Sequence, residues 1–510
     1  MASAIDAKIM LGIIGAGVMG RGIAQIAVEA GMSVLLLDIA SENCVAAIAQ
    51  CSAMIRRKSE KGLISAADAD DAVARLDWRQ IVGANYPIEL RHCSIVIEAV
   101  AERLDIKRAV IAAVEALVSD DCVVATNTSA LSVTGIANGA RLPGRIAGFH
   151  FFNPVPLMKI VEVIGGALTE KATLERLDAV ARRMGHMSVR AADTPGFIVN
   201  HAGRAYVTEA LRIAGEGIAS FADIDQIMVE GAGFRMGPFQ LLDMTGLDVS
   251  QPVMESIYRQ FYEEPRYRPS VIAARRLEAG LLGRKSGRGF YRYVDGVAQL
   301  EAKASAEDTV VDRPFWIAPG EGAGLLSQTL GETGLDVEEG ETPSGRAIVL
   351  LSPLGVDCTS AAAEGGYDPT RCVAVDAAFG LGSRVSLMRN PASDPGLVGM
   401  TAAALARSGR AVTVIHDSPG FVRQRIIAAI VNVGCDIAQQ RIATPDDIDN
   451  AVRLGLGYAQ GPFAMGDSAG PARILSILTE MERFYGDPRY RATPWLKRRA
   501  LLGLGLAHPD

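Results

Sequence analysis

Short aliphatic and β-branched runs alternate with longer amphipathic stretches over the first 190 or so residues of the chain. Ile9 to Ile14, Ser33 to Leu37, Ile95 to Glu98, Val123 to Thr126 and Ile146 to Phe151 have the length and apolar character of buried strands. Arg21 to Ala30 and Leu104 to Leu117 carry helical spacing. This alternation predicts a parallel sheet with helices on both faces. From Asp193 the pattern changes to long helical stretches, ending near Gly289-Phe290-Tyr291. Residues from about 300 to 345 are rich in Gly, Glu and Thr and read as a connector. A weaker α/β stretch follows, with Ala347 to Leu351 and Cys372 to Val375 as expected strands, and a second helical region begins at Asp417.

The second helical region repeats the first. Asp193-Thr194-Pro195-Gly196-Phe197 recurs 224 positions later as Asp417-Ser418-Pro419-Gly420-Phe421. The same displacement carries Asp223-Ile224-Asp225 onto Asp447-Ile448-Asp449, and Gly237-Pro238-Phe239 onto Gly461-Pro462-Phe463. Pro265-Arg266-Tyr267-Arg268 returns as Pro488-Arg489-Tyr490-Arg491, one position short of that displacement. Chance does not hold one displacement over such a span, so the helical domain is duplicated.

Composition narrows the class. Hydrophobic content is 49% and charge 21%, as in a well-buried globular chain, and 510 residues exceed one ordinary core. The net charge of -7, with both signs interspersed, gives no reason to expect a nucleic-acid partner. Seven scattered cysteines form no C-x-x-C pair and only six histidines are present, so reduced core thiols are expected and a metal site is not. With no secretory signal ahead of the first strand and no apolar run long enough to span a bilayer, the expectation is a soluble, cytoplasmic protein without a membrane partner.

Gly15-Ala16-Gly17-Val18-Met19-Gly20 fits G-x-G-x-x-G between a strand and a helix, the context that gives the motif its meaning. The first glycine permits the tight turn, the second lets backbone approach a pyrophosphate, and the third allows close helix–strand packing. Asp38 ends the next strand, 18 residues beyond Gly20. A carboxylate there accepts hydrogen bonds from the adenosine ribose and repels a 2′-phosphate, which favours NAD over NADP, with flavin the main rival ligand for the glycine fingerprint. The competing reading of Asp38 is a turn or helix-cap residue. The fold class is therefore an α/β Rossmann-type dinucleotide-binding domain followed by duplicated all-α domains. The expected segments are 1–191 (NAD binding), 192–296 (first helical domain), 297–415 (connector and degenerate α/β region) and 416–510 (second helical domain).

Polar residues collect where later strands end: Asn127-Thr128-Ser129, His150 to Asn153, and Lys159 to Val163. His150 and Glu162 each lie six residues from Pro156, so a turn at Pro154–Pro156 makes them cross-strand neighbours on one face. A histidine among aromatics is commonly a satisfied core residue. A carboxylate beside it, downstream of a cofactor turn, instead gives it the tautomer and basicity of a general base.

With these segments in order, the chain from Lys8 to about Tyr291 closely resembles the 3-hydroxyacyl-CoA dehydrogenase family. The matching stretches are the glycine turn, Ile97-Glu98-Ala99-Val100-Ala101-Glu102 with Lys107, Asn127-Thr128-Ser129, His150 through Glu162, Asp193 through Asn200, Gly237-Pro238-Phe239 with Asp243, and Gly287 through Tyr291. The resemblance implies oxidation of an (S)-3-hydroxyacyl-CoA thioester by NAD, with His150 as base and Glu162 as its orienting partner. It further implies that Ser129 and Asn200 lie near the reacting oxygen. Glu102, Lys107 and Asn153 would lie around the nicotinamide, with Asn127 a further cofactor contact, and Lys61 would meet the coenzyme A tail. The rival readings are a hydroxy-acid or sugar-acid dehydrogenase on the same scaffold and a non-catalytic structural relative. The second half is expected to be inert, with Gln424 opposite Asn200 and Leu387 opposite His150 when Asn153-Pro154 is aligned with Asn390-Pro391. Gly380-Leu381-Gly382 stands there as a faint remnant of a dinucleotide turn. The two helical copies are expected to pair internally as a pseudo-dimer, and a homo-oligomer stays open.

Overall fold

The computed structural model describes residues 9–299 and 309–509, so the start of the expected connector and the chain's first eight residues lie outside the described residues. Two compact units result. One runs through His201 and also contains residues 441–456; the other holds the remainder.

The first unit is built on eight strands: β1 (Met10–Ile14), β2 (Ser33–Asp38), β3 (Leu76–Gln80), β4 (Ile95–Glu98), β5 (Val123–Thr126), β6 (Ile146–Phe151), β7 (Ile160–Gly165) and β8 (Met187–Ala192). Their order is β3-β2-β1-β4-β5-β6-β7-β8. Side chains alternate between two cores: Ile13, Leu36, Ile97 and Ala125 face one layer of helices, while Ile14, Leu37, Val96 and Val124 face the other. Burial on both faces is what makes these strands continuous apolar runs. Neighbours are parallel except β6 and β7. Residues 152–159 between those two are too few for the crossover that a parallel partner needs, so the expected parallel sheet acquires an antiparallel step. β3, which the hydrophobic pattern does not reveal, carries Asp77, Arg79 and Gln80 at the sheet edge, where such residues discourage further pairing. At the other edge the helix Pro445–Leu456 packs on β7 and β8, and Ala192 N–H donates to Ile442 O.

The second unit contains a hairpin, β9 (Arg292–Val294) and β10 (Val297–Gln299), and a sheet of β11 (Phe315–Ile317), β12 (Ile348–Leu351), β13 (Cys372–Val375), β14 (Arg384–Arg389) and β15 (Ala411–Ile415). The order is β11-β12-β13-β14-β15, with only β13–β14 antiparallel. β4 to β8 have the same order and the same single antiparallel step. The duplication therefore reaches back into the α/β region, which keeps the last five strands and, among the described residues, has no counterparts of β1, β2 and β3. Those three carry the glycine turn and Asp38.

Strand register corrects the residue correspondence expected from sequence. β8 maps onto β15 with the displacement of 224, which puts Thr413 at the position of Val189. Val189 pairs with Glu162 and Thr413 pairs with Ser386, so Ser386 holds the Glu162 position. Asp376 N–H donates to Ser386 O, as the residue facing it on the next strand, so Asp376 holds the His150 position. Leu387 is not opposite His150, because Asn390-Pro391 follows β14 rather than β13. Gly380-Leu381-Gly382 joins β13 to β14 and is no dinucleotide turn. Gln424 at the Asn200 position stands.

Among the helices of this unit, Arg204–Gly215 packs beside Phe421–Gln439, its repeat. The contacts between copies are reciprocal: Arg266 Nη2 donates to Arg491 O at 2.8 Å, and Arg489 Nη2 donates to Arg268 O at 3.2 Å. Two-fold related surfaces make such exchanges. Arg425, fully buried, meets Glu209 and Glu216 at 2.7 Å each, so its charge is compensated where water is excluded. No helix among the described residues is long and apolar enough to cross a membrane.

Candidate active site

The glycine turn has the geometry its sequence calls for. Gly15 sits at φ 103°, and a Cβ there would lie 2.6 Å from Ala99 O. A Cβ on Gly20 would overlap Gly15 O, whereas one on Gly17 would meet nothing within 4 Å. Gly17 and Val18 are exposed, and Met19 packs partly against the core. The helix Val18–Glu29 starts at Gly17 with no side-chain cap and no acid in its first turn. Its free amides and open backbone approach suit a pyrophosphate. Asp38 Oδ2 accepts from Ala16 N–H at 2.8 Å, while Oδ1 accepts from Ala40 N–H at 3.0 Å and Asn43 Nδ2 at 3.2 Å. Asp38 thus ties the second strand's turn to the glycine turn, and the two readings of this residue do not exclude each other.

A buried ion cluster lies at the ends of β4 and β5. Lys107 Nζ meets both oxygens of Glu98 at 2.9 Å and Glu102 Oε2 at 3.3 Å; Lys107 and Glu98 have almost no exposed surface. Burial pushes the Glu98 carboxyl above the usual carboxylate range, opposed by Lys107 and by the Thr126 hydroxyl. Burial also acts to raise Glu102, but the Thr128 hydroxyl, the Lys107 charge and the amides of Ser129 and Ala130 outweigh it, and Glu102 ends below its ordinary value. Its Oε1 takes four contacts from residues 128–130, including Ser129 N–H at 2.8 Å and Ser129 Oγ at 3.3 Å. Glu102 therefore fixes the loop that carries Ser129. Glu98 and Thr126 end expected strands but were given no role from sequence; a carboxylate ending an otherwise apolar strand was the available signal.

His150 and Glu162 face each other across β6 and β7. His150 Nδ1 lies 2.6 Å from Glu162 Oε2, both residues are buried, and Glu162 Oε1 accepts from Ile198 N–H at 2.9 Å and Val199 N–H at 2.8 Å. Those two amides are aimed by the turn at Gly196 (φ 77°) and Phe197 (φ 48°), a left-handed pair repeated at Gly420 and Phe421. Positive φ at a phenylalanine is strained, and burial of its ring holds it there. Val199 is also braced from the second repeat: a Cβ on Gly455 would lie 2.9 Å from its Cγ2.

Asn200 Nδ2 donates to Ser129 O at 3.5 Å, bringing together the two residues expected at the reacting oxygen. Asp193 ties the same parts, accepting from Ser132 Oγ, Val133 N–H and Thr134 N–H at 2.7 to 2.9 Å. Its repeat, Asp417, accepts from Cys358 N–H at 2.7 Å and Thr359 N–H at 3.1 Å, which explains why this motif recurs. Asn127 Oδ1 accepts from Phe151 N–H at 2.8 Å and so holds the end of β6 beside His150. Asn153 is exposed, next to the cis bond to Pro154. Lys61 stands exposed at the end of the helix Ser41–Glu60, its amide bonded to Arg57 O. Arg56 and Arg57 are exposed, and Lys58 pairs with Glu29.

Comparison with known proteins gives a consistent result. Residues 10–194 match the family described as "3-hydroxyacyl-CoA dehydrogenase, NAD binding domain", and residues 196–293 and 420–507 match "3-hydroxyacyl-CoA dehydrogenase, C-terminal domain". The chain is 35% identical over 494 residues to a 3-hydroxyadipyl-CoA dehydrogenase of Escherichia coli, covering 97% of this chain and 98% of that protein. It is 36% identical over 281 residues to a probable 3-hydroxybutyryl-CoA dehydrogenase of Bacillus subtilis, covering 55% of this chain and 96% of that one. A crystal structure of a 3-hydroxybutyryl-CoA dehydrogenase from Escherichia coli superposes with a TM-score of 0.83 at 32% identity, over 97% of this chain and 98% of that chain.

Proposed function

We propose, from the premise that this chain belongs to the 3-hydroxyacyl-CoA dehydrogenase family, that His150 is the general base of an NAD-dependent oxidation of (S)-3-hydroxyacyl-CoA. Bound NAD supplies the hydride acceptor. His150 Nε2 removes the 3-hydroxyl proton, and this requires the other ring nitrogen to carry hydrogen. The 2.6 Å contact from Nδ1 to Glu162 supports that tautomer, and it is the observation that carries the reading. Glu162 is itself fixed by two backbone amides, so the base is preorganised rather than free to turn. When His150 becomes charged, Glu162 stabilises it. Ser129 and Asn200 orient the substrate oxygen, and Asn127 sets the end of β6 that presents the base.

The family likeness supports the (S) configuration and the thioester. Glu102, Lys107, Asn153, Asp38 and the turn residues Gly15, Gly17, Val18, Met19 and Gly20 are assigned to the cofactor, and Lys61 to a phosphate of the coenzyme A tail. The four segments divide at 191, 296 and 415, and only the first copy is assigned chemistry. The test is His150→Gln with NAD and a panel of thioesters including 3-hydroxybutyryl-CoA and 3-hydroxyadipyl-CoA. Turnover should fall by roughly 100- to 10,000-fold on every active thioester, with NAD affinity unchanged. More than about a tenth of the wild-type rate would remove His150 from the role.

A further inference from the structure

Among the described residues the second copy has no strands that carry a cofactor turn, yet a cavity lies beside the place corresponding to the reaction centre. This cavity, of about 460 Å³, is within the size range of small-molecule sites, and Asp376, Ser386 and Gln424 are not among its lining residues. Its walls include Ala378, Phe379 and Gly380, which follow Asp376 as Phe152, Asn153 and Pro154 follow His150. Arg423 stands at the position of Val199, next to Gln424 at that of Asn200. The chemistry at these positions has been exchanged as a set. Asp376 replaces the imidazole, Ser386 replaces Glu162, and the buried guanidinium of Arg423 compensates Asp376, with Nε 3.1 Å from Oδ2. Gln424 Nε2 donates to Asp376 Oδ1 at 3.0 Å, and Gln424 Oε1 accepts from Gly355 N–H at 2.9 Å. Both oxygens of the Asp376 carboxylate are thus engaged, one by Arg423 and one by Gln424.

What the cavity offers instead is a partly apolar interior edged by two guanidinium groups, each already paired with a carboxylate outside the lining: Arg423 with Asp376 and Arg473 with Glu321. Two arginines and no acidic side chain are among its lining residues. Arg423 is pinned by further bonds to Gly231 O, Asp376 O and Gly380 O, at 3.0, 3.1 and 2.8 Å, and is held rigid in the wall with its charge balanced by Asp376. Arg473 is half-exposed at the rim, with Nη1 donating to Ala378 O at 3.4 Å and Nε paired with Glu321. Phe234, Phe379, Ile427 and Met465 supply apolar surface. The segment carrying Gly231 is a π-helical turn, Ile227–Gly231, a feature found frequently at functional sites.

We propose that this cavity is a second, non-redox binding site for a small organic carboxylate with an apolar body, its carboxylate held at the rim by Arg473 in exchange for the exposed Glu321. Charge-assisted hydrogen bonds to guanidinium favour a carboxylate over a neutral or cationic group of the same shape. Two sources share this chemistry: a free acid, or an acyl thioester whose acyl chain ends in a carboxylate.

Calorimetry on the full chain tests the site with hexanoate and glutarate as free acids, glutaryl-CoA and butyryl-CoA as thioesters, and hexylamine as the cationic control. At least one carboxylate probe should bind with a dissociation constant on the order of 1 mM or tighter, and hexylamine should not bind. Arg473→Glu should weaken the carboxylate at least about tenfold, the loss expected for a charged hydrogen bond. Ser468→Trp, an exposed lining position, should block it while NADH binding at the first copy is retained. A free acid that binds assigns the first source. A second equivalent of glutaryl-CoA, absent with butyryl-CoA and lost in both variants, assigns the other. Absence of any carboxylate binding, equal binding of hexylamine, or carboxylate binding untouched by both variants overturns the proposal.

Discussion

Replacing Glu162 with Gln is the most informative single change, because it is nearly isosteric and alters one property of His150. Glu162 Oε1 accepts two backbone amides, so the carbonyl oxygen of the glutamine should stay there. Its NH2 group is then directed at His150 Nδ1, in place of the oxygen now 2.6 Å away. An amide N–H facing Nδ1 makes that nitrogen an acceptor and moves the ring hydrogen to Nε2. The base then presents a hydrogen to the substrate hydroxyl instead of a lone pair. A carboxylate-to-amide change that enforces the wrong tautomer costs about 10,000-fold in kcat in the well-studied hydrolase triad, equivalent to about 5.5 kcal/mol of barrier. The fold should lose far less, about 1 to 3 kcal/mol for weakening one charged hydrogen bond inside a retained shape. Steady-state NADH formation gives kcat, NADH fluorescence titration gives cofactor affinity, and thermal melting reports the fold. The expected pattern is a collapse in kcat of roughly 1,000-fold or more, unchanged NADH affinity and a small shift in melting. A variant within tenfold of wild-type kcat would refute the tautomer argument, and one that loses NADH binding along with activity would show that Glu162 acts through the fold.

Three other outcomes are expected. Asp38→Ser should lower NAD affinity and shrink the preference for NAD over NADP, and it should also lower the melting temperature because Asp38 holds the amides of Ala16 and Ala40; an unchanged ratio of the two kcat/KM values would leave Asp38 only the turn role. Burial raises the carboxyl of Asp225 to about 7, despite its bonds from the Tyr291 hydroxyl and the amides of Phe239 and Gln240, so the folded state binds this proton more tightly than the unfolded chain does. The corresponding stability is full below about pH 4 and is lost as pH rises to about 7, amounting to about 4 kcal/mol over that range. Urea midpoints should therefore decline from pH 5 to 7.5 in the wild type, with a smaller decline in Asp225→Asn; parallel profiles would contradict the assignment. Calorimetric titration should give one NAD per chain, since the second copy has no counterparts of β1 to β3 among the described residues, and a stoichiometry of two would require a cofactor site elsewhere.

The amino-acid sequence by itself determined the cofactor half of the molecule, because its signals are local. A glycine turn is specified by positive φ and close backbone approach at Gly15 and Gly20, and the buried strands around it are continuous apolar runs readable without their neighbours. The repeat was equally legible, since Pro195-Gly196-Phe197 and Pro419-Gly420-Phe421 each have to make the same left-handed turn. The pairing of His150 with Glu162 followed from their symmetry about Pro156, because one short connection fixes the register of β6 against β7. What the tertiary structure alone decided lies in longer-range relations. Only strand register reveals that Asp376, not Leu387, occupies the place of His150 in the second copy, since the linking segments differ in length and local matches mislead. Edge strands such as β3 carry no continuous apolar signal, and Glu98 gains its meaning from Lys107 and Thr126, which approach it from other elements. The helix Pro445–Leu456 belongs by sequence to the second repeat, yet it packs on β7 and β8 and braces Val199. Burial of an apolar face, which is satisfied by whatever surface is nearest in space, decides where such a helix goes, and sequence order does not.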